Sequence, residues 1–157
     1  MNRILLESIL QKMKTSLANG ENIGDLKIGA LYSIGSQLEA ILYYVGHELG
    51  SLITDLPEEG SITEKLQTAC ERYHLGEFKL KEHNPEHLIF SLSQCQSSEK
   101  IADVKVKTDE MYCSFEAGLF AGLIEKITKK HCFAQEINCK VQGEVEACEF
   151  MVVISKE

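Results

Sequence analysis

Tyr112-Cys113-Ser114-Phe115-Glu116-Ala117-Gly118-Leu119-Phe120-Ala121-Gly122 opens a helical pattern that runs from about Met111 to Lys130. Phe115, Leu119, Leu123, Ile124 and Ile127 recur at helical spacing, and Lys129 and Lys130 suit the negative C-terminal end. Two strand-like runs follow, Cys132 to Cys139 and Glu146 to Ile154, joined through Gln142-Gly143 as a hairpin. A helix feeding directly into a hairpin is the unit from which the fold is read.

The same unit stands upstream. Ser61-Ile62-Thr63-Glu64 has capping-box spacing and opens a helix that buries Leu66, Ala69, Cys70 and Tyr73 and stops at Gly76. Phe78 and Leu80, then Leu88, Phe90 and Leu92, alternate with polar residues across Asn84-Pro85, which predicts a first hairpin. Between the units, Cys95 to Asp109 is polar and poorly patterned and is expected to be a loop, with a short strand over Ile101 to Lys107 left open. Toward the N-terminus, Leu31, Ile34, Leu38, Ile41, Leu42, Val45, Leu49, Leu52, Ile53 and Leu56 keep one apolar face and predict a long central helix. Ile4, Leu5, Ile9, Leu10, Met13 and Leu17 predict an amphipathic helix within residues 1–20, a candidate dimer contact ended by Asn19-Gly20. Helices packed on one face of a mostly antiparallel sheet make a single α+β domain over residues 1–157.

Composition excludes several partners. A formal charge of -8 repels phosphate backbones and anionic membranes, and no basic cluster exceeds Lys126, Lys129 and Lys130. Nucleic acid is therefore not an expected partner. The apolar stretch from Ile34 to Leu56 contains Gln37, Glu39, His47, Glu48 and Asp55, so it fails as a membrane span. Arg3 and Glu7 interrupt the first residues as a signal peptide would not allow. A cytoplasmic location is expected, where six cysteines read better as metal ligands, core thiols or reactive thiols than as three disulfides.

Glu136-Ile137-Asn138-Cys139 places two ligand types at the end of one strand, and the hairpin through Gly143 returns Cys148 alongside. Strict alternation points Glu136 and Cys139 to opposite faces, so the reading requires a bend or bulge between them. Cys113, in the predicted first turn of its helix, is the remaining candidate, because a helix N-terminus favours a thiolate. Spacing alone leaves open whether these residues bind zinc or are buried thiols beside a solvated Glu136. Glycines carry a second ambiguity. Gly35, Gly46 and Gly50 thin one helix, and Gly118 and Gly122 another, either for close helix packing or for a ligand lying between them. A ligand cavity there is expected to be bordered by His47, Gly50, Phe115, Leu119 and Gly122. No nucleophile and base stand at a telling spacing, and no phosphate loop or dinucleotide fingerprint is present, so no catalytic residue is assigned.

The run from Tyr112 to Gly122, then Glu136-Ile137-Asn138-Cys139, Gly143 and Cys148-Glu149-Phe150, resembles the C-terminal signature of the 4-vinyl reductase domain family. The resemblance implies a zinc held by Cys113, Glu136, Cys139 and Cys148 within a signature region spanning 111–154, and a fold similar to the small subunits of vesicle-tethering complexes. It implies a homodimer and a zinc-stabilised sensor domain for a small hydrophobic or aromatic molecule, which this chain, departing from the phenol-sensing relatives, is expected to form as a standalone protein. An enzyme or accessory subunit of tetrapyrrole metabolism and a dimeric interaction scaffold are the alternatives. Cys70, Cys95 and Cys132 match no ligand position of that signature and are expected to be buried structural thiols.

Overall fold

A computed structural model describes residues 3–21, 24, 37–103 and 111–156. Helix α1 (Arg3–Ala18) precedes α2 (Gln37–Leu52) and α3 (Ile62–Arg72). Strands β1 (Glu77–His83) and β2 (His87–Ser93) form the first hairpin, followed by α4 (Gln96–Asp103) and α5 (Ser114–Thr128). Strands β3 (Cys132–Asn138) and β4 (Cys148–Ile154) form the second, joined through a 3-10 turn at Lys140–Gln142. All pairings are antiparallel, in the order β1-β2-β4-β3.

The two hairpins thus meet through β2 and β4, with Phe90 opposite Phe150 and Leu92 opposite Cys148. Alternation puts Leu88, Phe90, Leu92, Cys148, Phe150 and Val152 on one buried face, as a half-covered sheet requires. The rings of Phe90, Phe120 and Phe150 lie 4.6 to 6.1 Å apart and join that face to α5.

The central helix is α5, not the one predicted around Leu31 to Leu56. Every residue from Phe115 to Ile124 is buried, because α5 has the sheet on one side and α2 on the other. Leu31, Ile34 and Gly35 lie outside the described residues, and α2 ends at Leu52. Pro57 cannot extend a helix and biases its predecessor away from helical geometry, while Lys126 Nζ donates to the carbonyl of Ile53. Further on, Ser61 Oγ accepts from Glu64 N at 3.2 Å, and the Glu64 carboxylate accepts from Ser61 N at 2.7 Å, forming the expected capping box of α3.

The expected loop after Cys95 is corrected by α4. Its polarity is inward: Ser97 and Ser98 are fully buried, Ser98 Oγ donates to Cys95 O at 3.0 Å, and Gln96 Nε2 donates to the carbonyls of Tyr73 and His74. A helix that turns polar groups inward has little apolar periodicity to read. The open strand reading falls partly on α4 and otherwise on residues 104–110, outside the described residues. Helix α1 packs on α2 and inserts Met13 and Leu17 into the core, so those two residues face inward.

Candidate metal centre

Two structural devices converge at one end of the sheet. Residues Ala134 and Glu136 of β3 face inward, and strict alternation then points Cys139 outward. The pairing register shifts between Glu136 and Asn138, and this bulge resets the phase so that Cys139 is buried beside Glu136. Beyond it the chain turns through Lys140–Gln142, with Gly143 at φ 85°, and Cys148 returns as the first residue of β4.

Cys113 arrives from the other side, as the N-cap of α5 instead of a residue of its first turn. Its side chain does not cap the helix. Glu136 instead holds the chain just ahead of the helix, its Oε2 accepting from Tyr112 N at 2.9 Å and Cys113 N at 2.8 Å. That leaves Oε1 buried with no hydrogen-bond partner, in the company of the three sulfurs.

The sulfurs of Cys113, Cys139 and Cys148 and a carboxylate oxygen of Glu136 all lie within 4.8 Å of one another. Cys113 Sγ and Cys148 Sγ are 3.6 Å apart. Tetrahedral zinc, with bonds of about 2.3 Å to sulfur, separates its thiolates by about 3.8 Å. All four residues are at most 3% exposed. The donor set therefore fits a tetrahedral, thiophilic dication that excludes water.

Electrostatics agrees with the geometry. Burial is the largest influence on Glu136 and, with Cys139 nearby, pushes its carboxyl up to about 7 against the backbone donors. Burial likewise pushes the Cys113 thiol well up, assisted by hydrogen bonding to the neighbouring sulfurs. Buried donors without a counter-charge are held toward their neutral forms, and a dication is the counter-charge that lets them ionise together.

The sequence reading missed two members of the surroundings. Cys95, just ahead of α4, is fully buried as expected of a structural thiol, but its Sγ stands 3.6 Å from Cys113 Sγ and 3.6 Å from Glu116 Oε1. Hydrogen bonds with Cys113 and Cys148 hold its thiol down at about 7. Glu116 was legible through its spacing from Cys113, since residues three apart share one helix face. Cys70 is an ordinary buried thiol, pushed up to about 12 chiefly by burial, and Cys132 is half-buried.

The residues expected to border a ligand lie along one seam between α2 and α5. An added Cβ would sit 2.1 Å from Leu119 O at Gly50 and 2.0 Å from His47 O at Gly122. Phe115 and Leu119 are fully buried core residues, and His47 Nε2 lies 3.5 Å from Glu125 Oε2. The space beside these glycines, where a ligand was expected, is filled by the facing helix's backbone. An open cleft of about 320 Å³ lies nearby instead, lined by Tyr43, Met111, Ala117 and Phe133 and reaching Ser114 and Glu136. The Ala134 N–H donates to Tyr43 Oη at 3.1 Å, which fixes that ring at the cleft's edge. His131 Nδ1 also approaches Glu125, at 3.4 Å, so this carboxylate lies between two histidines.

Comparisons with known proteins place this architecture. The family model of the 4-vinyl reductase domain matches residues 95–154. An uncharacterized Methanocaldococcus jannaschii protein, MJ0150, is 30% identical over 130 residues, covering 82% of this chain and 72% of its own length. A second from that organism, MJ0745, is 31% identical over 118 residues, covering 75% of this chain and 58% of its own length. Among solved structures, the phenol-responsive sensory domain of the transcription activator PoxR, crystallised with phenol, superposes with a TM-score of 0.72 at 12% identity, covering 84% of this chain and 72% of that one. A vinyl-4-reductase family protein of M. jannaschii gives 0.62 at 21% identity, covering 99% and 98%. Trafficking protein particle complex subunit 3 of Naegleria fowleri, covalently bound to palmitic acid, gives 0.63 at 11% identity, covering 96% and 97%. At these identities the structural likenesses show the fold.

Proposed function

The chain belongs to the 4-vinyl reductase domain family, and on that premise we propose that it is a zinc-braced binding domain for a small hydrophobic or aromatic molecule. The observation that carries the zinc is Glu136 Oε1, a buried oxygen without a hydrogen-bond partner held among three converging sulfurs. Cys113, Glu136, Cys139 and Cys148 hold the ion, and four protein donors leave no position for an activated water. Its role is then to clamp the N-terminus of α5 to the second hairpin.

The ligand site is the cleft beside that clamp. Tyr43 and Phe133 offer aromatic faces, Met111 and Ala117 apolar ones, and Glu136 belongs both to the cleft lining and to the metal set. Occupancy of the cleft is thereby coupled to the order of the metal-bound hairpin. The phenol named with the PoxR sensory domain supports an aromatic ligand class. We assign the protein a homodimeric state, in keeping with the family resemblance, and a cytoplasmic location, in keeping with its six cysteines and its charge.

Elemental analysis and native mass spectrometry of freshly purified protein test the metal, and a thermal-shift screen of phenols, fatty acids and tetrapyrroles tests the ligand. Zinc is expected in every chain, with stabilisation by an apolar aromatic that is lost in Ala117→Phe, which fills the cleft. Metal-free native protein would exclude the brace. A ligand response equal in Ala117→Phe and the parent would exclude this cleft.

A further inference from the structure

We propose that the buried centre takes two metal ions, the second on Cys95, Cys113 and Glu116, with the Cys113 thiolate shared between them. The inference rests on the zinc reading above for the ion that Cys113 shares. The three new-site ligand atoms all lie within 4.8 Å of one another, and all three residues are fully buried.

The distances suit coordination. Cys95 Sγ is 3.6 Å from Cys113 Sγ and from Glu116 Oε1. A tetrahedral zinc with bonds of about 2.3 Å to sulfur and about 2.1 Å to oxygen requires separations of about 3.8 Å and about 3.6 Å. Cys113 Sγ also stands 3.6 Å from Cys148 Sγ. It therefore has a thiol at ligand-to-ligand distance in two directions, as a bridging thiolate needs.

The donors come from positions the fold holds firmly. Cys113 and Glu116 are three residues apart at the start of α5, on one helix face. Cys95 precedes α4, and its carbonyl accepts from Glu99 N and Ser98 Oγ, each at 3.0 Å. The Glu116 carboxyl group has no exposed surface and faces two buried thiols. Two sulfurs and one carboxylate select a thiophilic ion such as zinc or cadmium over magnesium or calcium. This second ion has three protein donors, so one coordination position remains for a water or a small soft ligand, unlike the filled first site.

Metal-free protein is titrated with cadmium, and bound ions are counted by native mass spectrometry and followed by cadmium NMR. Two ions per chain are expected at saturation, with two mutually coupled resonances transmitted through the shared sulfur. Cys95→Ser and the near-isosteric Glu116→Gln should each fall to one ion and one resonance. Saturation of the parent at one ion per chain overturns the second site while sparing the first, and so does a second ion that both variants retain. Failure to bind any ion overturns both readings. The count on the unmodified chain decides even if a variant does not fold.

Discussion

Glu136 shows how one side chain serves two purposes. One oxygen accepts the backbone N–H groups of Tyr112 and Cys113 just ahead of α5, which fixes the carboxylate and aims the other oxygen at the sulfurs. The cysteines contribute differently, since each is set by a change of backbone direction: a helix start, a post-bulge turn and a strand start. Cys139 depends most on the bulge, standing outside the ladder as the N-cap of the short 3-10 turn. Cys139→Ser is expected to abolish metal retention and to cost several kcal/mol of stability, because binding free energy of a structural ion is folding free energy. Metal content and urea unfolding of the same sample check this. A variant that unfolds like the parent would show that the ion, if bound, braces nothing.

At the scale of elements, the seam between α2 and α5 sets how closely the two layers approach. Gly46 and Gly50 face carbonyls of α5, and Gly118 and Gly122 face carbonyls of α2, so backbone meets backbone in both directions. Each glycine costs its helix about 1 kcal/mol against alanine, and the contact offsets it through close packing. Gly122→Ala would place a methyl 2.0 Å from His47 O, where no side-chain rotation relieves it. Despite alanine's better helix propensity, the substitution should destabilise the protein by about 1 to 3 kcal/mol or more. Denaturant midpoints measure it, and a neutral or stabilising result would mean that the seam is looser than these contacts imply.

For the whole molecule, the two helix-and-hairpin units close around one core, and α1 completes it. Met13 and Leu17 are 1% and 5% exposed, so deletion of residues 1–18 should expose apolar surface and yield aggregated or partly unfolded protein. A folded, soluble deletion variant would show that the core closes without α1. Light scattering of the intact protein is expected at twice 17.6 kDa. Exposed Tyr44, Leu52 and Val153 lie outside the ligand cleft and remain available to a second copy. No helix among the described residues is long and apolar enough to cross a membrane.

Periodicity and caps determined α3, α5 and both hairpins, because those signals arise from neighbours a few residues apart. Cysteine and glutamate spacing, read with the family signature, picked out the four residues that the fold gathers and even required the bulge that brings Glu136 and Cys139 to one side. Helix α4 was illegible because its buried face is largely polar, with Ile101 its one core residue among the described residues, and its hydrogen bonds reach Tyr73 and His74 far back in the chain. The glycines were legible as a close approach, but only tertiary structure decided that backbone, not a ligand, makes it. Likewise Cys95 joins Cys113 and Glu116 only in three dimensions, eighteen residues away from Cys113. Sequence records which residues repeat along one element, whereas convergence of donors from separate elements is set by how helices and sheet pack, and that is a property of the assembled core.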